Sequence, residues 1–310
     1  MNCEIVYDSQ KPWIKGMAIN SGGLMTKNIQ QAFLHESAFF QGIKDTRIFY
    51  QVWKPEHPRG VVLIIHGFTE HSGRYTNVVN TLCPEEYAVW AIDHRGHGKS
   101  GGKQHYVDSF KDFFADIAIL EKMLRKAHPD LPVHIIGHSM GSLIANHYVS
   151  SQEKQDYSSL TLSGTGAAVG EGIGQLQILL SKLLSAFLPK LLIPSGIDPN
   201  FISSDQEVVE AYKNDPLVKY QKVTSRLGNE LLCYLSTMKC AAKKVTVPTM
   251  IQVGSLDDTF KHSSWDELFT SFPSKDKVFQ KYEGLKHEVY NEVEKEIPLA
   301  DLKGWINSHN

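Results

Sequence analysis

The sequence LPVHIIGHSMG, residues 131–141, changes abruptly from the pattern of a strand to that of a tight turn. Its first part, PVHIIG, is a short apolar run whose length and branched residues suit a strand buried on both faces. SLIANHYV, residues 142–149, continues as a helix. The GHSMG between them has the form G-x-S-x-G, in which small flanking residues permit a sharp strand-to-helix turn. Such a turn projects the Ser139 hydroxyl above the edge of a sheet.

Similar apolar runs recur on both sides of this stretch, and amphipathic helical stretches lie between them. The runs are GVVLIIH (60–66), YAVWAID (87–93), Ser159–Ser163, Val247–Gly254 and Val278–Glu283. Strand–helix–strand repetition implies the α/β class, with a parallel sheet covered by helices on both faces. Upstream, the runs Ala38–Gly42 and Arg47–Trp53 are rich in aromatic residues and separated by IKDT, which predicts a hairpin.

The strand rhythm stops at residue 164 and resumes at Val245. The segment between is helical in pattern and unusually apolar, as in IGQLQILLSKLLSAFLPKLLIP at residues 173–194. An interruption of this kind indicates an insertion into an α/β core. The predicted organisation is therefore an N-terminal extension (1–36), a core made of residues 37–163 and 245–310, and a helical cap or lid (164–244).

Composition excludes several function classes. The chain has 310 residues, 42% of them hydrophobic, which is incompatible with a disordered protein. Lys and Arg number 32 against 34 Asp and Glu, so nothing indicates a basic nucleic-acid binder. Four cysteines, no secretory signal pattern and no apolar run near the ~20 residues that span a bilayer predict a cytoplasmic protein.

A nucleophilic serine requires a general base and a carboxylate that orients it. In this class the chain order is serine, acid, histidine, with the last two on loops after later strands. The loop after Val247–Gly254 offers Asp257 and Asp258, and the loop after Val278–Glu283 offers His287. The residues alone leave both aspartates open, and they leave open that His287 is an ordinary loop histidine and Ser139 an ordinary helix cap.

Two backbone N–H groups are candidates for stabilising an oxyanion. The Met140 N–H would lie at the N-terminus of the helix that follows Ser139. HGFTEH, residues 66–71, follows a central strand and presents the N–H of Phe68 in the same region. A plain turn at the strand end is the alternative for this second segment.

Four further blocks accompany the serine turn: HGFTEHSGRY (66–75), DHRGHGKS (93–100), EAYKNDPLV (210–218) and YEGLKH (282–287). Together these blocks resemble the monoacylglycerol lipase group of α/β-hydrolases, which includes bacterial lysophospholipases. The resemblance covers about residues 38–308. It implies the α/β-hydrolase fold, a mostly parallel eight-stranded sheet with helices on both faces, plus a helical cap insertion.

The same resemblance implies roles for individual residues. Ser139 would be the nucleophile, His287 the base and Asp257 the acid, because the group's G-S-x-D pattern matches Gly254, Ser255 and Asp257. Phe68 and Met140 would form the oxyanion hole. Around the polar end of the substrate pocket we expect Glu70, Arg74 and Tyr212, with purely structural roles as the alternative, and Tyr290 where many members have a second histidine.

The implied activity is hydrolysis of monoacylglycerols to fatty acid and glycerol, with a small lipid ester as the partner. This chemistry needs neither a metal nor an organic cofactor. A lysophospholipase, a short-chain esterase, an iminopeptidase or an acyltransferase on the same residues is the alternative, and a non-catalytic lipid- or partner-binding module is a remote one. The apolar stripe of the cap predicts an acyl tunnel or peripheral membrane contact, with burial against the core as the plain alternative.

Overall fold

The computed structural model describes residues 33–169 and 175–310, with side chains described from residue 179 onward in the second range. Most of the predicted N-terminal extension and the glycine-rich stretch before the apolar cap helix therefore lie outside the described residues. Within the described ranges, no helix is both long enough and apolar enough to cross a bilayer.

Most strands agree with the predicted runs to within about two residues at each end, but the first strand begins at Phe33, five residues before the predicted Ala38. The strands are β1 Phe33–Gln41, β2 Arg47–Pro55, β3 Gly60–Ile65, β4 Tyr87–Ile92, β5 Val133–His138, β6 Ser159–Ser163, β7 Leu192–Pro194, β8 Lys222–Thr224, β9 Thr249–Gly254 and β10 Lys277–Tyr282.

The α-helices lie mainly between these strands. They are α1 Thr76–Leu82, α2 Lys111–Ala127, α3 Met140–Ser150, α4 Gln175–Phe187, α5 Gln206–Asn214, α6 Ser225–Ser236, α7 Met238–Ala242, α8 Ser263–Ser271 and α9 Glu296–Ser308.

Eight strands form one sheet in the order β1-β2-β4-β3-β5-β6-β9-β10. The hairpin β1–β2 is antiparallel, as predicted, and β2 pairs antiparallel with β4, whereas β3, β4, β5, β6, β9 and β10 run parallel to one another. The predicted α/β-hydrolase architecture is therefore confirmed. Because parallel strands end at one edge, the loops after β3, β5, β9 and β10 converge there.

Both faces of the sheet are covered. Along β3, the side chains of Val61, Leu63 and Ile65 enter the hydrophobic cluster that contains α2 and α3. The alternating Val62 and Ile64 enter the opposite cluster, which contains α1 and α9. The alternation follows from the two-residue period of a strand, and it explains why the central strands are apolar at nearly every position.

The chain between β6 and β9 carries α4 to α7. It also contains β7 and β8, which pair with each other as a short antiparallel ladder that the sequence analysis did not predict. Strands of three residues are too short to produce a recognisable periodicity. This segment is attached to the core at His105, whose Nδ1 bonds the Lys222 carbonyl oxygen at 2.8 Å. The division of the chain at residues 164 and 244 stays a prediction.

Candidate active site

Ser139 lies at the turn between β5 and α3 with a backbone conformation that is rare for a residue with a side chain. Its φ is 51° and its ψ is −118°. The neighbouring helix packs closely under this turn, because a Cβ built on Gly141 would lie 1.9 Å from the Ile65 carbonyl oxygen. The second glycine of G-x-S-x-G is therefore required by contact with β3. A strained backbone conformation of this kind persists where contacts with the surrounding structure hold it in place, as they do at many functional sites.

Asp257 and His287 form a hydrogen-bonded pair at the same edge of the sheet. The His287 Nδ1–H donates to Asp257 Oδ2 at 2.8 Å, and Asp257 is buried. The backbone N–H of Thr259 donates to the other carboxylate oxygen at 3.0 Å. The competing Asp258 is exposed and lies 3.7 Å from His262. Of the two candidate acids, Asp257 is the one that contacts His287.

His138 connects this pair to the serine turn. Its ring centroid lies 4.8 Å from that of His287, and it directly precedes Ser139 in the chain. In the described part of the chain, neither Ser139 Oγ nor His287 Nε2 bonds another residue. Both atoms therefore remain available for a substrate. Catalytic hydrogen bonds are often long or absent until substrate arrives, so this arrangement suits a resting hydrolase.

The pKa values of the two histidines are shifted in opposite directions. Burial drives the pKa of His138 down to about 3, so this ring is neutral at ordinary pH. Burial also opposes the charged form of His287, but the charge and hydrogen bond of Asp257 outweigh it and hold the pKa of His287 above its usual value. Burial likewise opposes the charged form of Asp257, but His287 and Thr259 outweigh it and hold the pKa of Asp257 below its usual value. The arrangement stabilises an imidazolium at His287, as a general base requires.

The segment after β3 lies directly against the serine. A Cβ built on Gly67 would lie 3.1 Å from Ser139 Cβ. Among the described residues, none accepts a hydrogen bond from the backbone N–H of Phe68 or of Met140. Thr69 next to Phe68 has a φ of 68°, and its hydroxyl is hydrogen-bonded to that of Tyr212 in α5. The two predicted oxyanion donors are thus unpaired and near Ser139.

The four residues expected at the polar end of the pocket are all internally bonded. Glu70 accepts from the Gly67 N–H and the Tyr75 hydroxyl, and Tyr290 donates to Gln252. They surround little space. The cavity that Glu70, Arg74 and Tyr290 help to line is about 10 Å³, room for about one water. Substrate binding by these residues stays a prediction.

A larger cavity of about 210 Å³ lies where the loop after β4 meets the segment after α5. Its lining includes His97, His105, Leu217 and Lys219. The Phe68 ring packs on the rings of both histidines, with centroids 5.8 and 4.8 Å apart. The cavity therefore adjoins the segment that carries the candidate oxyanion donor.

Two residues that contribute to the site were missed by the sequence analysis. Glu288 is buried beside His287 and pairs with Arg74, and Thr259 holds the Asp257 carboxylate. Glu288 did carry a signal: it is a charged residue that immediately follows the candidate base. Thr259 carried none, because no sequence pattern marks the residue that donates to the Asp257 carboxylate.

Comparisons with known proteins identify the family and fold that this chain shares with others. The family model described as serine aminopeptidase, S33, matches residues 56–294. The chain is 35% identical over 271 residues to a monoacylglycerol lipase of Mycolicibacterium smegmatis, covering 87% of this chain and 96% of that protein. It is 30% identical to a monoglyceride lipase of Rattus norvegicus, covering 84% and 86%. A solved monoglyceride lipase from Saccharomyces cerevisiae superposes with a TM-score of 0.81 at 22% identity, covering 90% of this chain and 97% of that one, and so shares the fold.

Proposed function

This chain belongs to the serine aminopeptidase S33 family of α/β-hydrolases, and we propose that it hydrolyses monoacylglycerols to fatty acid and glycerol through an acyl-enzyme on Ser139. One observation carries the proposal. The Asp257–His287 pair and Ser139 meet at one sheet edge in a chain that is similar, over 96% of the relative's length, to a monoacylglycerol lipase.

The mechanism uses only groups of this chain. His287 takes the Ser139 proton as the oxygen attacks the ester carbonyl carbon, and the Phe68 and Met140 N–H groups stabilise the resulting oxyanion. Glycerol leaves with the proton that His287 returns to it. A water then attacks the acyl-enzyme by the same route, which releases the fatty acid and restores Ser139.

The charge around the base supports an uncharged head group. Glu70 and Glu288 lie beside His138 with a single guanidinium, that of Arg74, between them. Burial and the neighbouring Glu288 raise the pKa of Glu70, and Arg74 is already paired with Glu288, so this group of residues offers no free positive charge. A phosphate attached to the leaving alcohol would therefore find no cationic partner there, whereas glycerol needs none.

We expect the protein to prefer a 2-monoacylglycerol over a lysophosphatidylcholine with the same acyl chain by at least about tenfold in kcat/KM, which corresponds to about 1.4 kcal/mol of discrimination. Release of fatty acid from both substrates is measured side by side, with Ser139→Ala protein as the blank. Equal rates, or faster release from the phospholipid, would move the function to a lysophospholipase.

The cap offers a surface for peripheral contact with a membrane. Along α4 and just beyond it, the described side chains form an exposed apolar stripe of Leu179, Leu180, Leu183, Phe187 and Leu188. Lys182 and Lys190 flank it and are exposed. An apolar face with basic flanks is typical of helices that lie in the interface of a bilayer. We propose that this stripe rests on a membrane that supplies the lipid substrate, on its cytoplasmic side.

Replacing Leu183 and Phe187 together with glutamate is expected to weaken binding to phosphatidylcholine vesicles by about tenfold or more, since each large apolar side chain contributes about 1.5–3 kcal/mol when buried. Co-sedimentation measures the binding. Ile297→Glu changes an equally apolar, exposed residue on α9 and serves as the control. Unchanged vesicle binding by the double variant would contradict a membrane role for the stripe.

A further inference from the structure

A buried cluster of charges joins the loop after β3 to the loop that carries His287. Arg74 Nη2 donates to Glu288 Oε2 at 2.5 Å, and Arg74 Nε lies 3.4 Å from Glu70 Oε2. All three side chains are at least nine-tenths buried. We call these three residues the carboxylate–guanidinium bridge. Buried charges are costly unless paired, so an arrangement with one guanidinium for two carboxylates requires an explanation.

One end of the bridge holds the candidate oxyanion segment. Glu70 Oε1 accepts the backbone N–H of Gly67 at 2.5 Å and the hydroxyl of Tyr75 at 2.7 Å. Gly67 immediately precedes Phe68, whose N–H is the candidate donor to the oxyanion. The peptide unit that carries the Gly67 N–H is joined at the Gly67 Cα to the unit that carries the Phe68 N–H, so Glu70 restrains the backbone on one side of that joint.

The other end of the bridge lies beside the base. Glu288 follows His287 in the chain, its backbone N–H donates to the Ile202 carbonyl oxygen at 2.8 Å, and Asn291 donates to its carboxylate at 2.9 Å. These contacts hold the Glu288 carboxylate against the guanidinium of Arg74 and near the ring of His287.

We propose that Glu70, Arg74 and Glu288 are positioning residues for the hydrolytic reaction. Glu288 stabilises the imidazolium that forms on His287, Glu70 holds the oxyanion segment, and Arg74 couples the two. This inference rests on the proposed function, because it takes His287 as the base and Phe68 as an oxyanion donor.

The negative charges near His287 shift its pKa in the direction that this role requires. Asp257, Glu288 and Glu70 all act to raise the pKa of His287, after burial, which lowers it. The neutral ring of His138 and the ring of Phe260 pack beside His287, and Arg74 is held next to Glu288. Burial opposes ionisation of Glu288, but Arg74 prevails and keeps the pKa of Glu288 low. Burial and the neighbouring Glu288 raise the pKa of Glu70. Glu288 is therefore the constant negative charge near the base.

The test measures the rate at which a fluorophosphonate labels Ser139 as a function of pH. Labelling needs the neutral form of His287 but no glycerol head group, so it reports the base directly. Glu288→Gln removes a negative charge, so the pKa of His287 falls and the acid limb of the profile is expected to move down by about 0.5–1 pH unit. Glu288→Asp keeps the charge and is expected to restore most of the wild-type limb.

Glu292→Gln is the matched control. Glu292 is buried on the same loop and accepts from the Lys286 N–H at 2.6 Å, but it is outside the bridge. We expect this variant to lose thermal stability without moving the acid limb. If Glu292→Gln moves the limb as far as Glu288→Gln, or Glu288→Gln leaves it in place, the role of Glu288 is overturned.

The other end of the bridge is tested with Glu70. Glu70→Gln retains an oxygen that accepts the Gly67 N–H, whereas Glu70→Ala does not. Glu70→Ala is expected to lower the labelling plateau and kcat by about 10- to 100-fold with KM little changed, and Glu70→Gln much less. Equal losses would overturn the positioning role. Wild-type protein that does not label at all would instead contradict the proposed function.

Discussion

The Ser139→Ala protein is expected to release fatty acid from a 2-monoacylglycerol at least about 10⁴ times more slowly than wild type, since removal of a triad nucleophile typically costs about 10⁶ in kcat. The oxygen that forms the acyl-enzyme is absent, and no neighbouring group replaces it. What activity remains would come from the oxyanion donors and from substrate binding.

Stability is expected to change little, because Ser139 Oγ bonds no other described residue and alanine adopts the same backbone turn with similar strain. Thermal unfolding checks this. The matched control is Ser142→Ala: that hydroxyl donates to the Ser139 carbonyl oxygen at 2.6 Å and accepts from the Thr165 hydroxyl at 2.7 Å, so its loss affects stability rather than turnover. Full turnover by Ser139→Ala protein would eliminate the proposed acyl-enzyme.

The fold is readable from the sequence because its central strands are buried on both faces. GVVLIIH and YAVWAID are apolar at almost every position, which a surface helix or a half-exposed strand would not tolerate. The turn at Ser139 is equally readable, since Gly141 is fixed by its contact with the Ile65 carbonyl oxygen. Observed strand boundaries differ from the predicted ones where a residue cannot take part in the hydrogen bonds of the sheet. The strand predicted from Pro132 begins at Val133, and proline has no N–H to donate to the ladder.

The side-chain network of the site was not readable in the same way. Arg74 and Glu288 are 214 positions apart in the chain, and nothing in the sequence indicates that they pair. Only the fold brings them together under the base. For Glu70 the sequence left a head-group role and a structural role open, and its carboxylate is bonded to Gly67 and Tyr75. A motif identifies which residues matter, whereas the direction of each side chain depends on packing between distant segments.

Replacing Asp257 with asparagine is expected to lower kcat by about 10⁴, because an amide can donate to His287 Nδ1 and thereby hold the imidazole in the wrong tautomer. The shape of the site is kept, so KM and the unfolding temperature change far less than kcat.

Asp258→Asn is the matched control one residue away. Asp258 is exposed, and its carboxylate lies 3.7 Å from His262, which is not part of the triad. Its variant should therefore keep activity within about twofold, the effect of an isolated surface substitution. Steady-state rates for both variants on one monoacylglycerol decide between the two aspartates. Loss of turnover in Asp258→Asn protein with retention in Asp257→Asn protein would reverse the assignment, since the 2.8 Å contact between Asp257 and His287 would then have no part in orienting the base.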